Sequence, residues 1–169
     1  HAARTNCQMT VLVCDNLGYQ STGGQFGWTT PQGVRTDSSP YGMFESNFIQ
    51  GGLDVLQALK AAGATFLARH VSMDGKPLVE SLKKAVQNNG FSLVHTVFPC
   101  TTNYAKNALG SRNAVNIFNW IKDHAAPMGE ETEDTIWSTG IYYDASNSRP
   151  EFSELMRQKT QEIQGGGSQ

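Results

Sequence analysis

The sequence has 169 residues, 38% of them hydrophobic and 17% charged, and a formal net charge of −2 at pH 7. This composition excludes a disordered chain, and no apolar run approaches the ~20 residues that a membrane-spanning helix needs. The near-neutral charge gives no basis for binding nucleic acid or a membrane surface. Three cysteines, odd in number and unevenly spaced, do not form a disulfide framework, so we expect a reducing, cytoplasmic location.

The first strong pattern is the apolar run Met9–Cys14, which predicts a strand buried on both faces, as in a parallel sheet. A long polar loop follows from Asp15-Asn16. Loops of this length are uncommon unless they bind a ligand or are disordered, and open α/β sheets bind ligands at the carboxyl ends of their strands. Ordinary turn chemistry would explain Asn16 and Gly18, but it explains neither the length of the loop nor the pair Gly23-Gly24.

Helices and strands alternate after the loop, which predicts βαβ units in a parallel sheet with helices on both faces. Gly51-Gly52 precedes the first of these helices. The predicted elements are a helix over 53–62, a strand over 65–71, a helix that begins at Asp74–Pro77 and ends at Asn88–Gly90, and a strand over 91–98.

The last third of the chain is predicted to continue this pattern. Pro99–Tyr104 forms a polar turn, Ser111 caps a helix that runs to about His124, and the acidic run Glu130–Asp134 forms a solvated loop. Ile136–Asp144 predicts a late strand, Pro150–Phe152 begins a final helix, and GGGSQ is a flexible tail.

Three motifs in the long loop resemble the thiamine-diphosphate loop of 2-oxoacid:ferredoxin oxidoreductases. They are Asp15-Asn16-x-x-Tyr19, Ser21-Thr22-Gly23-Gly24-Gln25 and Thr29-Thr30-Pro31-x-Gly33. Three later segments match the same family: LKAAGATFLAR from Leu59, GFSLVHTVFPCTTNY from Gly90 and RPEF from Arg149. Thr101 replaces the usual second proline of the Pro-Cys turn. The resemblance covers nearly the whole chain and implies the diphosphate-binding domain of the thiamine-diphosphate fold.

The resemblance also implies roles for residues of the loop. The Asn16 side chain and the Gly18 carbonyl would bind Mg²⁺, while Asp15 would fix the end of the strand without being a ligand. Ser21 and Thr22 are candidate catalytic residues, because their hydroxyls, together with glycine N–H groups, could bind a diphosphate or a substrate carboxylate. The alternative is a glycine-rich turn with incidental hydroxyls. The implied cofactor-binding residues are Asn16, Gly18, Tyr19, Thr22, Gly23, Gly24 and Cys100.

Cys100 has two interpretations. A cysteine near the end of a strand is commonly a small buried hydrophobic residue, whereas the family's Pro-Cys turn supplies a ligand to a 4Fe-4S cluster. Cys7 and Cys14 are interpreted as structural. His95, in a strand, is predicted to be a core residue with satisfied hydrogen bonds, and His70 could face the site.

The implied function is oxidative decarboxylation of a 2-oxoacid with coenzyme A to acyl-CoA and CO₂, with electrons passing through an iron–sulfur cluster to ferredoxin. The wider motif pattern favours 2-oxoglutarate. A partner α subunit would carry the pyrimidine-binding half of the site. Residues 1–169 form one thiamine-diphosphate-binding domain, which we expect to lack its N-terminal portion, because the chain starts within a predicted helix and does not contain the family's Gly-Asp-Gly segment.

Two alternatives to this function remain at the level of the sequence. One is a non-oxidative thiamine-diphosphate-dependent decarboxylase or synthase. The other is a non-catalytic fragment or structural subunit of the same fold.

Overall fold

A computed structural model describes residues 1–42 and 53–165, so Gly51-Gly52 and most of the GGGSQ tail lie outside the described residues. The predicted helices and strands are all present within it, with two elements that the sequence analysis did not predict. None of the described helices is both long enough and apolar enough to cross a membrane. The elements in chain order are α1 (Ala2–Thr5), β1 (Met9–Asp15), α2 (Val55–Ala61), β2 (Phe66–Val71), α3 (Gly75–Gln87), β3 (Phe91–Val97), α4 (Asn103–Leu109), α5 (Ala114–Asp123), β4 (Ala125–Pro127), β5 (Trp137–Asp144) and α6 (Phe152–Gly165).

The strands form one sheet in the order β1-β3-β2-β5-β4. β1, β3 and β2 are parallel and in register, with Asp15 beside Val97 and Val97 beside Val71. Their carboxyl ends therefore meet at one edge, which confirms the predicted α/β fold. β5 departs from the prediction because it runs antiparallel to β2, and the short β4 pairs with it in parallel.

Helices cover both faces of this sheet, as predicted. Alternate side chains of a strand point to opposite faces, and the two faces of β2 and β3 contact different helices. On one face, Phe66, Ala68 and Val94 pack against Ala85 of α3. On the other face, Leu67 and Leu93 pack in a cluster with Ala3 of α1 and Leu56 of α2.

The prediction that β1 is buried on both faces is wrong for the described part of the chain. Met9 and Leu12 are 46% and 48% exposed, and Cys14 is also exposed. β1 is the edge strand and pairs only with β3 among the described strands. The apolar run correctly identified a strand, but the burial of a strand depends on what lies beside it in the sheet.

The predicted polar turn at Pro99–Tyr104 is also incomplete, because α4 begins within it at Asn103. Tyr104 and Ala105 of this helix are buried. The next helix, α5, starts later than predicted: Asn113 is its N-cap and accepts from the Val115 N–H, while Ser111 accepts from the Asn113 N–H. The side chains of α4 and α5 build a core cluster beneath the loop, which contains Leu17, Val71, Val97, Tyr104, Ala105, Ile117, Ile121 and Trp137.

The RPEF segment contacts the amino-terminal end of the chain, on the side of the sheet away from the loop. Arg149 donates to the carbonyls of Ala3 and Arg4 at 3.1 and 2.8 Å. Asn6 donates in turn to the carbonyls of Arg149 and Pro150 at 3.3 and 3.1 Å. This motif therefore joins the start of α6 to α1 and has a structural role in the described chain.

Candidate functional site

The long loop is held to the end of β1 by the Asp15 carboxylate. One oxygen accepts from the Leu17 N–H and from the Thr29 hydroxyl, both at 2.8 Å, and the other pairs with His95 Nε2 at 2.9 Å. Burial raises the pKa of Asp15, but the hydrogen bonds from His95, Leu17 and Thr29 outweigh it and hold the pKa below its usual value. Asp15 is therefore an ionised structural residue at the strand end, as predicted.

Leu17 turns the chain at the start of the loop and was not singled out by the sequence analysis. Its φ of 64° lies in the left-handed region, which costs a non-glycine residue roughly 1–3 kcal/mol. Its side chain is fully buried in the core beside Tyr104 and Val97, and its carbonyl accepts from the Thr30 hydroxyl at 2.8 Å. The signal in the sequence for a buried residue at this turn is a leucine that directly follows the polar pair Asp15-Asn16.

Asn16 and Gly18 flank this turn. Within the described residues, no group donates a hydrogen bond to the Asn16 side chain or to the Gly18 carbonyl. Gly18 has a φ of 150°, and an added Cβ would lie 2.5 Å from the Gln25 carbonyl oxygen, so only glycine fits. No group of three or more His, Cys, Asp or Glu residues in the described part of the chain could hold a metal. Oxygen ligands from an amide and a main-chain carbonyl nevertheless suit Mg²⁺.

The segment Tyr19–Gln25 forms a compact turn. The Tyr19 N–H donates to the Gln25 carbonyl at 2.9 Å, and the N–H groups of Gly23 and Gly24 donate to the carbonyls of Gln20 and Tyr19. Because these two N–H groups are used inside the turn, they do not form the open anion-binding concavity that the sequence suggested. Ser21 and Thr22 carry exposed aliphatic hydroxyls in the turn, next to the exposed phenol ring of Tyr19. The Thr22 hydroxyl donates to Gln25 Oε1 at 2.6 Å.

This turn packs directly on α4, the helix that follows the Pro-Cys segment. Asn103 Nδ2 donates to the Gln20 carbonyl at 2.7 Å. Gly24, with a φ of 100°, lies so close to α4 that an added Cβ would be 2.9 Å from Asn107 Nδ2 and 3.1 Å from Asn103 Cβ. The structure therefore brings together two motifs that the sequence separates by some 80 residues.

Cys100 lies in the short connection between β3 and α4 and is half-buried. Burial raises the pKa of its thiol, but hydrogen bonds from the Thr102 hydroxyl and from the backbone N–H groups of Tyr104, Thr102 and Asn103 outweigh it and lower the pKa. These hydrogen bonds favour the thiolate form of Cys100, which lies at the same edge of the sheet as the loop. The other two cysteines are free thiols as well, with Cys7 half-buried and Cys14 exposed.

A row of polar side chains crosses the carboxyl ends of the parallel strands beside the loop. Asp15 contacts His95, Arg69 Nε donates to His95 Nδ1 at 3.2 Å, and Arg69 also donates to Asp54 at 2.7 Å. Asp54 is the N-cap of α2. These residues line a cavity of about 340 Å³ together with Thr29 and Trp137. His95 thus has satisfied hydrogen bonds, as predicted, while the sequence analysis did not identify Arg69 or Asp54.

His70 does not face this site, which corrects the expectation that it could. Its Nε2 lies 2.8 Å from the Ser81 hydroxyl of α3, on the opposite face of the sheet from His95 and Arg69. Burial lowers the pKa of His70, and the nearby Asp74 carboxylate only partly offsets this. Tyr104 does approach the loop. Its buried hydroxyl has no hydrogen-bond partner among residues 1–42 and 53–165, and burial and the charge of Asp15 raise its pKa, so it remains a neutral phenol.

Comparison with known proteins identifies the family of this chain. Residues 1–96 match the family model described as "Thiamine pyrophosphate enzyme, C-terminal TPP binding domain". The 2-oxoglutarate synthase subunit KorB of Methanocaldococcus jannaschii is 31% identical over 169 residues, which cover 96% of this chain and 60% of that protein. The 2-oxoacid:ferredoxin oxidoreductase subunit beta of Saccharolobus solfataricus is 35% identical over 101 residues, which cover 60% of this chain and 32% of that protein.

A solved structure has the same fold. The 2-oxoglutarate:ferredoxin oxidoreductase from Magnetococcus marinus, determined with 2-oxoglutarate, coenzyme A and succinyl-CoA bound, superposes with a TM-score of 0.76 at 24% sequence identity. The match covers 99% of this chain and 57% of that one, so the chain spans 60% or less of the length of these three proteins. The family model covers more than half of the chain, and we conclude that the chain belongs to the thiamine pyrophosphate enzymes, in their C-terminal TPP-binding domain family.

Proposed function

We propose that this chain forms the diphosphate-binding part of the β subunit of a 2-oxoacid:ferredoxin oxidoreductase. The reaction is oxidative decarboxylation of a 2-oxoacid with coenzyme A to acyl-CoA and CO₂, with electrons passed to ferredoxin. The observation that carries this proposal is the contact of the Tyr19–Gln25 turn with α4, where Asn103 Nδ2 donates to the Gln20 carbonyl at 2.7 Å. This contact joins the long loop after β1 to α4, the helix that follows Cys100, whose thiol has a lowered pKa.

Mg²⁺ and thiamine diphosphate would bind at the loop. The Asn16 side-chain oxygen and the Gly18 carbonyl accept no hydrogen bond from the described residues, and they would provide two of the metal's oxygen ligands. Tyr19, Gly23 and Gly24 would contact the cofactor through the Tyr19–Gln25 turn. When bound, thiamine diphosphate supplies the electron sink that decarboxylation of a 2-oxoacid requires.

Ser21 and Thr22 are proposed to act on the reacting groups. Both lie in the exposed part of the turn, and their hydroxyls could orient the substrate carboxylate or the diphosphate. For Thr22 this role requires its hydroxyl to leave Gln25 Oε1, which it contacts at 2.6 Å. Binding of the ligand would thus exchange one hydrogen bond for another.

Cys100 would be a ligand of a 4Fe-4S cluster. Iron–sulfur clusters are generally held by four cysteine thiolates, so three further ligands would have to come from outside the described residues. The hydrogen bonds that lower the pKa of the Cys100 thiol favour the thiolate form that a cluster needs. Its position beside the loop offers electrons a short path away from the cofactor.

The partners in this proposal are an α subunit that carries the pyrimidine-binding half of the site, ferredoxin as electron acceptor, coenzyme A and the 2-oxoacid. The enzyme would work in the cytoplasm, where thiols stay reduced, and the three free cysteines agree with this location.

The first test replaces Cys100 with serine in the assembled complex. We expect Cys100→Ser to leave folding and thiamine-diphosphate binding intact, but to damage the cluster and to stop ferredoxin reduction. Iron content and low-temperature electron paramagnetic resonance of the reduced complex measure this directly. Cys14→Ser, which changes an exposed thiol near the carboxyl end of β1, is the matched control and should keep the cluster. Full iron and a normal signal in Cys100→Ser would contradict the proposed electron path.

The second test concerns the substrate. The segment Tyr19–Gly23 contains no lysine or arginine, and the exposed Arg35 is the nearest cation along the loop. We nevertheless favour 2-oxoglutarate over branched-chain 2-oxoacids and pyruvate, on the pattern of motifs and on the names of the KorB relatives. Comparing kcat/KM among these acids, with coenzyme A and ferredoxin present, tests this choice. A clear preference for pyruvate would refute it.

A further inference from the structure

The polar row Asp15–His95–Arg69–Asp54 is used by no step of the proposed reaction. Its four members come from four elements: the ends of β1, β3 and β2, and the N-cap of α2. His95 and Arg69 are buried, at 3% and 8% exposure. The contacts between neighbours in the row are 2.9, 3.2 and 2.7 Å.

The chemistry of arginine sets the direction of every hydrogen bond in this row. A guanidinium group can only donate, so His95 Nδ1 must accept from Arg69 Nε. The imidazole proton therefore lies on Nε2 and is donated to Asp15. Arg69 is itself oriented by Asp54, whose carboxylate also accepts from the first N–H groups of α2. The row thus holds one tautomer of His95 and one orientation of the Asp15 carboxylate.

We propose that His95 and Arg69 are positioning residues for the cofactor loop. By orienting Asp15, they hold its other oxygen where it accepts from the Leu17 N–H and the Thr29 hydroxyl. These two hydrogen bonds in turn set the left-handed turn at Leu17. That turn decides where the Asn16 side chain and the Gly18 carbonyl point. The inference rests on the cofactor role proposed for this loop and extends it to two residues that do not touch the cofactor.

Stability alone does not account for the row. Burying the charges of Asp15 and Arg69 costs desolvation free energy, and replacing buried charged networks with apolar residues is often neutral or stabilising. The residues two positions away from His95 on the same face of β3 are the apolar Leu93 and Val97, which pack in the core. An apolar side chain at position 95 would therefore suit the core, and what it would lack is the donor to Asp15.

The test compares His95→Gln with His95→Leu in the assembled enzyme. A glutamine amide can accept from Arg69 and donate to Asp15, whereas leucine can do neither. We expect His95→Leu to weaken thiamine-diphosphate binding by about tenfold or more, the scale seen when partners behind metal ligands are removed. It should also speed hydrogen exchange of the Leu17 amide. His95→Gln should stay close to the wild-type protein in both measurements.

His70→Leu is the matched control, because it removes a buried histidine that contacts α3 instead of the loop. It should lower thermal stability without changing cofactor affinity or exchange at Leu17. If His95→Leu fails to assemble, Arg69→Met serves instead: it keeps His95 but removes the donor that sets its tautomer, and it should weaken binding as well.

The positioning role is refuted if a folded His95→Leu or Arg69→Met complex binds thiamine diphosphate like the wild type and protects the Leu17 amide equally. Equal losses in His95→Gln and His95→Leu would also refute it. A wild-type complex that binds no thiamine diphosphate would refute the proposed function, while exchange at Leu17 would still decide whether His95 orders the loop.

Discussion

Asn6 tests what stabilises the end of the sheet opposite the loop, where β2 and β3 begin. This residue is buried and left-handed, with a φ of 55°. Its side chain accepts from the Phe91 N–H at 3.0 Å and the Thr65 hydroxyl at 3.2 Å, and it donates to two carbonyls of the RPEF segment. It thus connects the starts of β2 and β3 with α1 and α6.

Asn6→Ala would destabilise the protein through two separate effects. The buried Phe91 N–H would lose its partner, which costs about 1–3 kcal/mol, and alanine disfavours the left-handed backbone by about 1–2 kcal/mol. Thr65 keeps a second acceptor in the Phe91 carbonyl, so its hydroxyl adds little. We expect a loss of about 3 kcal/mol in the free energy of unfolding, or roughly 6–12 °C in Tm for a chain of this size.

Asn147→Ala is the matched control. Asn147 has nearly the same backbone conformation, with a φ of 59°, but it is exposed. It should therefore lose only the backbone contribution of about 1–2 kcal/mol. Denaturant unfolding followed by circular dichroism measures both variants. If Asn6→Ala is no less stable than Asn147→Ala, the buried hydrogen bonds of Asn6 do not hold the scaffold, and the argument fails.

Two further predictions concern the loop and His70. Asn16→Ala should weaken thiamine-diphosphate binding in the assembled complex by about tenfold to a hundredfold, because it removes the proposed metal ligand; the scale is that of changes just behind metal ligands. Unchanged affinity in a cofactor titration would show that Asn16 is only a turn residue. His70, whose pKa is lowered from 6.5 by burial, takes up a proton more readily in the unfolded state, so its contribution lowers stability as the pH falls below about 6.5. His70→Gln should therefore lose less stability than the wild type between about pH 7 and pH 5 in denaturant titrations, and parallel pH profiles would contradict this.

The sequence determined the order and type of most elements, because these depend on neighbours a few residues apart. The apolar runs identified β1, β2 and β3, and the helical spacing of apolar residues identified α2, which lies within the predicted range 53–62. The carboxyl-end location of the loop followed from the alternation of helices and strands. The loop motifs also indicated the family, because they lie in one continuous stretch.

Tertiary structure decided everything that depends on residues far apart in the chain. The pairs in the polar row are separated by 80, 26 and 15 residues, so no local pattern could show that His95 joins Asp15 to Arg69. The exposure of Leu12 and the antiparallel direction of β5 likewise depend on strand order, which is set by how whole strands pair. The spacing of apolar residues along the chain determines which face of a helix or strand is apolar. The free energy of packing between distant elements determines which element covers that face.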